Sequence, residues 1–211
     1  MKQDDTKKKI LEKALELFSE RGYDAVSVAD IAEAVGIKAP SLYNHYESKR
    51  AIFDAIVTET ANRYRTCTDK INIHVESAER DVPFFTEITE KKLAEKVKQI
   101  FLYSLHDETI RRFRRMMTIE QFRSPELSRL YTERYVTRMT EYHAEIFRAL
   151  IASGEIRDEN PETLALMYIS PVLTLLGICD REPSREEECT RRLEEHIKLF
   201  FHTFNIKKQK F

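Results

Sequence analysis

The sequence predicts an all-α protein, and three observations carry that prediction. Only four glycines and six prolines interrupt 211 residues, too few for the many turns of an all-β fold. Apolar residues recur with helical period along most of the chain. Helix-start residues stand ahead of these periodic runs: Ser27, Ser48, Ser124-Pro125-Glu126, Asn160-Pro161-Glu162 and Ser184 with Glu187.

The first predicted helix covers residues 6–21, with Ile10, Leu11, Ala14, Leu17 and Phe18 on one face and Gly22 at its end. Ser27 and Asp30 form a capping-box pair at the start of a second helix, whose buried stripe is Val28, Ile31, Ala32 and Val35. Gly36 stops it, Ile37 follows as an apolar plug, and Pro40 suits the first turn of a short third helix holding Leu42, Tyr43 and Tyr46. Ser48 caps a fourth helix with Ile52, Phe53, Ile56 and Val57 inward. Residues 66–81 lose their periodicity and Pro83 marks a break. Further helices are expected at 87–106, 107–122, 125–153, 161–181 and 185–204.

Composition excludes more than it assigns. Apolar residues make up 42% and charged residues 34%, ordinary for a globular chain. The 35 Lys and Arg nearly cancel the 36 Asp and Glu, and the first 65 residues hold eleven of each sign. Any nucleic-acid contact must therefore come from local arrangement, because phosphate attraction is the main source of such affinity. The three cysteines form no CxxC pair, and the six histidines form no HxxxH or HExxH pair, so no metal site is expected. No GxSxG, GxGxxG or GxxxxGK[ST] motif occurs, so neither catalysis nor a cofactor is expected. Met1 leads into a charged segment, and the longest apolar stretch, 164–179, is short for a membrane span. A cytoplasmic protein with no membrane partner is the expectation.

Two short helices around a glycine turn with an apolar plug, at about 28–35 and 39–45, have the spacing of a helix-turn-helix. The flanking runs ILEKALELFSERGY (10–23), SVADIAEAVG (27–36) and SLYNHYESK (41–49) resemble the N-terminal domain of the TetR family of bacterial transcriptional regulators. The likeness extends over about the first 57 residues. It implies a three-helix domain with the helix-turn-helix at 1–50, a connecting fourth helix at 49–67, and a larger helical dimerisation and ligand-binding domain at 51–211. It also implies double-stranded operator DNA as a partner, a homodimer, and repression relieved by a small-molecule effector, whose largely apolar character is expected from the C-terminal side chains below. The alternative kept beside it is a DNA-binding regulator controlled without a small molecule.

By the same resemblance, Ser27 meets a phosphate at the start of the second helix. Lys38, Ala39, Pro40 and Ser41 lie where the recognition helix reaches bases or backbone. Tyr43, Asn44 and His45 lie one turn on, and Lys49 is a phosphate clamp. Tyr46, Leu42 and Ile37 are expected in the core.

In the C-terminal part, the helix at 161–181 is apolar nearly all round and must be covered on every side. A symmetric partner is one solution, with the interface expected at Leu166, Ile169, Leu173, Leu176, Leu193, Ile197, Phe200 and Phe204. Burial inside one subunit is the other. Effector-pocket candidates are Phe101, Phe113, Met117, Tyr135, Met139, Tyr142, His143 and Tyr168, because methionine and amphipathic aromatics suit an apolar pocket with few polar anchors. The same residues would also make an ordinary core. Arg111, Arg112, Arg114 and Arg115 read as a solvated face.

Overall fold

The computed structural model describes residues 2–205, with side chains from Asp4 onward. Among the described residues there are eleven α-helices: α1 Lys2–Arg21, α2 Val28–Val35, α3 Ala39–Tyr43, α4 Lys49–Lys70, α5 Ala78–Glu87, α6 Glu90–His106, α7 Glu108–Glu120, α8 Pro125–Thr132, α9 Arg138–Ala152, α10 Pro161–Arg181 and α11 Glu186–Phe204. Among the described residues the extended backbone pairing is a single isolated bridge, Ile156 with Asn205.

The helix-start signals explain most boundaries. Ser27 and Asp30 form the full capping box, Ser48 Oγ accepts from the Ala51 N–H, and Asn160 Oδ1 accepts from the Thr163 N–H at 2.7 Å. Helix α1 starts earlier than residue 6; Asp4 and Asp5 in its first turn complement the positive end of the helix dipole. The Ser184–Glu187 box does not form, because Pro183–Arg185 winds into a 3₁₀ turn and Arg185 becomes the cap of α11.

Two predictions fail locally. Helix α5 runs straight through Pro83. Tertiary bonding outweighs the missing N–H there: buried Asp81 accepts from the His74 N–H, pairs with His74 Nδ1, and accepts from the Tyr142 hydroxyl. The long helix expected at 125–153 is interrupted by a π-helical turn at Glu133–Thr137.

The chain forms two compact units. Among the described residues the first comprises 2–64 and 107–131, the second 65–106 and 132–205. The units therefore do not follow the division expected at residue 50, because α7 lies along α1 and contributes buried Phe113, Met116 and Met117 to the first unit. Its other buried side chains include Ile10, Phe18, Ile31, Leu42, Ile52, Phe53 and Ile56. The second unit buries one cluster from α5, α6, α9, α10 and α11, including Phe101, Tyr142, Leu164, Tyr168, Leu193, Ile197 and Phe200. Arg114, read as solvated, is buried in the first unit, while Arg111 and Arg112 pair with Glu108.

Candidate nucleic-acid interface

Helices α2 and α3 are joined by a turn whose geometry the sequence dictates. Gly36 has φ +81°, in the left-handed region glycine occupies at least cost. Its N–H bonds back to Ala32 and Glu33, and the Ile37 N–H bonds to Ala32, closing α2 and reversing the chain. Lys38, in extended conformation, then leads into α3, where Pro40 sits in the first turn. Leu42 is fully buried and anchors α3 from below.

That anchor turns the rest of the short helix outward. Lys38, Pro40 and Asn44 are exposed, Ala39 and Ser41 partly so, and Tyr43 is 53% exposed. Tyr46 is half-buried, and burial raises its phenol pKa above the ordinary value. His45 is half-buried, and its Nδ1 is enclosed without a hydrogen-bond partner. A proton there would be unpaired, so the favoured tautomer carries its hydrogen on Nε2.

Two expected phosphate contacts are already engaged within the protein. The Ser27 hydroxyl donates to Asp30 Oδ2 and accepts from the Asp30 N–H, and the Ser27 N–H also goes to Asp30. Those bonds hold the Asp30 carboxyl below its usual pKa, so a carboxylate already occupies the positive end of α2. Lys49 departs further from its expected role. Its Nζ donates to the carbonyls of Tyr23 at 3.0 Å and Val26 at 2.9 Å, and lies 4.3 Å from the centre of the Tyr23 ring. Two of the three ammonium hydrogens are spent, so Lys49 braces the segment before α2. Likewise Lys9 Nζ donates to the Val35 carbonyl at the end of α2.

Sequence reasoning missed Glu120 altogether. Fully buried on α7, it accepts the Tyr23 N–H on Oε1 at 3.0 Å. The signal was present: Glu120 continues the stripe Phe113, Met116, Met117 at helical spacing.

In the second unit, Leu193 and Ile197 are fully buried in their own chain and Ile169 and Phe200 nearly so, leaving little surface for a partner. The reason is periodicity: Leu193, Ile197 and Phe200 form the inward stripe of α11. Leu173, Leu176 and Phe204 are half-buried. Of the expected interface residues Leu166 is exposed, at 53%, and beside it are Met167 and Leu199, at 49% and 68%. They line a groove of about 490 Å³ with Ser170, Pro171, His196, Phe200, Thr203 and Phe204. Helix α10 has 21 residues and is long and apolar enough to cross a membrane, more than the short stretch had suggested.

Of the expected effector residues, His143 and Tyr168 line a cavity of about 50 Å³, with Ile146, Phe147, Phe200 and Phe204 among its other walls. Phe101 and Tyr142 are buried in the core of the same unit, Tyr142 held by Asp81. Tyr135 and Met139 are half-buried outside that lining, Tyr135 within the π-helical turn. Phe113 and Met117 belong to the core of the first unit. His143 Nδ1 lies 2.7 Å from the Met139 carbonyl, so it carries the proton and Nε2 is left as an acceptor. Burial, partly offset by that bond, pushes the His143 pKa down to about 4, and burial pushes the Tyr168 phenol up. No group of three metal-ligating side chains is assembled among the described residues.

Against known proteins, residues 10–56 match the sequence profile of bacterial regulatory proteins of the tetR family. Residues 92–204, more than half the chain, match that of the C-terminal domain of AefR-like transcriptional repressors. The biofilm operon icaADBC negative regulator IcaR of Staphylococcus aureus is 42% identical over 66 residues, 31% of this chain and 32% of IcaR. The chain thus spans about a third of the length of that relative. MexZ, a repressor of Pseudomonas aeruginosa, superposes with TM-score 0.71 at 17% identity over 95% of this chain and 94% of MexZ. The SmeT–triclosan complex, whose SmeT comes from Stenotrophomonas maltophilia, gives TM-score 0.70 at 19% identity over 96% and 92%. At such identities the likeness concerns the fold. With residues 10–56 and 92–204 matched in this order, the chain belongs to the TetR family of bacterial regulatory proteins.

Proposed function

We propose that the protein is a homodimeric transcriptional repressor, not an enzyme, that works in the cytoplasm. It grips operator DNA with α2 and α3 and lets go when a small, uncharged, largely apolar effector binds the second unit. The observation that carries the DNA reading is the outward presentation of Lys38, Pro40, Tyr43 and Asn44 over the buried Leu42. Small residues let such a helix approach base edges, while the phenol, the lysine and the Nε2–H of His45 reach phosphates.

The exposed stripe of α10 and α11 supports the dimer. Leu166, Met167 and Leu199 form a contiguous apolar face that water leaves costly. A second copy fits it better than lipid does, because Ser170 and Thr174 lie on α10 and exposed Glu195, Lys198 and His202 flank the groove on α11. Two copies would set the recognition helices to read half-sites about 34–36 Å apart, or a multiple of that.

The effector reading rests on the cavity beside His143 and Tyr168. Its walls carry no cation, and a neutral imidazole offers only an acceptor, so a buried anion would go uncompensated. About 50 Å³ is far below the roughly 300–1,000 Å³ of ligand pockets, so side chains must move to admit an effector. SmeT, a neighbour in fold, forms a complex with triclosan.

Binding of the DNA upstream of the protein's own gene, titrated with salt, tests the reading. Affinity should fall steeply with salt, and Lys38→Ala should lower the log–log slope by about 1. Tyr43→Phe should weaken binding roughly 5- to 10-fold by removing one hydroxyl bond. Salt-independent binding, or full affinity in both variants, would remove the assigned surface.

A further inference from the structure

Between α1 and the N-cap Ser27 of α2, residues Gly22 to Val26 are held from both sides by opposite charges. On one side Glu120 of α7 accepts the Tyr23 N–H. On the other, Lys49 of α4 donates to the Tyr23 and Val26 carbonyls and covers the Tyr23 ring. That ring packs against Phe18 and Phe53, each 5.1 Å away between centroids. The fit is close: a Cβ on Gly22 would lie 2.3 Å from Glu120 Oε1.

Glu120 is an expensive choice for this seat. It is fully buried, its Oε2 has no hydrogen-bond partner, and the guanidinium of Arg123 stands 3.8 Å from Oε1 with most of its own surface in water. A buried carboxylate with so little compensation is commonly no more stable than an apolar residue of similar size. What the oxygen supplies, and leucine or methionine cannot, is a directed acceptor for one backbone N–H. That N–H belongs to the segment from which α2 begins.

We infer that Glu120 is a positioning residue for DNA recognition, which, with Lys49, sets the angle at which α2 and α3 leave the body formed by α1, α4 and α7. The inference rests on the DNA-binding reading above. Any shift of α7 that moves this carboxylate moves the segment that carries the recognition helix.

The test compares full-length wild type with Glu120→Gln, Glu120→Leu and Glu120→Met. Three quantities are measured: thermal midpoint, affinity for the upstream DNA fragment, and the amide resonance of Tyr23 in ¹⁵N-labelled protein. Glutamine keeps an acceptor oxygen without the charge, so it should retain affinity within about threefold and leave the Tyr23 amide shift near wild type. Leucine and methionine should fold, move the Tyr23 amide, and lose about tenfold in affinity. If one apolar variant fails to fold, the other decides. Wild-type affinity in a folded apolar variant, or equal losses in the glutamine and apolar variants, would overturn the inference. Wild-type protein that does not bind the fragment would instead overturn the DNA reading, and the Tyr23 amide would still report on the clamp.

Discussion

Lys49 shows how a side chain of expected function can be claimed by its own fold. The resemblance to TetR regulators implies a phosphate ligand there, yet two carbonyls and an aromatic face hold its ammonium. Lys49→Ala should therefore lower stability by about 1–3 kcal/mol as well as weaken DNA binding, since bonds from a charged donor are lost. Lys38→Ala, on an exposed side chain, should leave the thermal midpoint unchanged; calorimetry of the two variants separates the roles. Gly22 has φ +87° and faces Glu120, so Gly22→Ala carries both backbone strain and a clash. The expected cost is about 2 kcal/mol or more, of which Glu120→Ala in the same chain should relieve only the steric share. His143 makes a prediction about acid. Its folded pKa, about 4, lies below the ordinary histidine value of 6.5, so the unfolded chain takes up a proton first as pH falls. The stability it contributes is complete above pH 6.5 and drains away between about 6.5 and 4. Because the residue keeps some exposure, the loss should be smaller than full burial of a cation would impose. Urea melts at pH 7 and 4.5 should show a smaller drop in His143→Phe than in wild type.

At the scale of elements, α10 and α11 separate two kinds of apolar residue that look alike in sequence. Leu193 and Ile197 hold the subunit together, while Leu199 on the same helix faces outward with Leu166 and Met167 of α10. Leu199→Glu should keep helical circular dichroism and thermal cooperativity but shift sedimentation from dimer to monomer. Ile197→Glu should unfold the chain, because the charge has no route to water. A Leu199→Glu protein that still sediments as a dimer would place the interface elsewhere. The all-round apolarity of α10 called for cover on every side but left open whether a partner or its own subunit supplies it. Which of its leucines faced out was not legible, because α11 and α9 choose the face they cover. Helix α7 gave the opposite lesson: its apolar stripe already put Glu120 inside, but a lone charge at a stripe position reads as an end of the stripe until its acceptor role is visible.

For the whole molecule, the consequential feature is that the first compact unit is discontinuous. Helix α1 is covered by α7, some ninety residues further along, so the DNA-reading segment lacks a complete core without residues 107–131. A fragment 1–64 should therefore be loosely folded, with poor dispersion of its amide spectrum, although it contains the whole helix-turn-helix. Amino-acid order alone determined the helical class, the capped starts of α2, α4 and α10, the glycine stops of α1 and α2 at Gly22 and Gly36, and the likeness of the first 57 residues to TetR regulators. These depend on neighbours three or four residues apart, whose interactions can be read along the chain. Only tertiary packing decided that Lys49 braces a loop, that Phe113 and Met117 line a core instead of a pocket, and that Pro83 lies within a helix. Each of those outcomes depends on which distant helix arrives to cover a face, and burial by a remote partner leaves no local periodic trace.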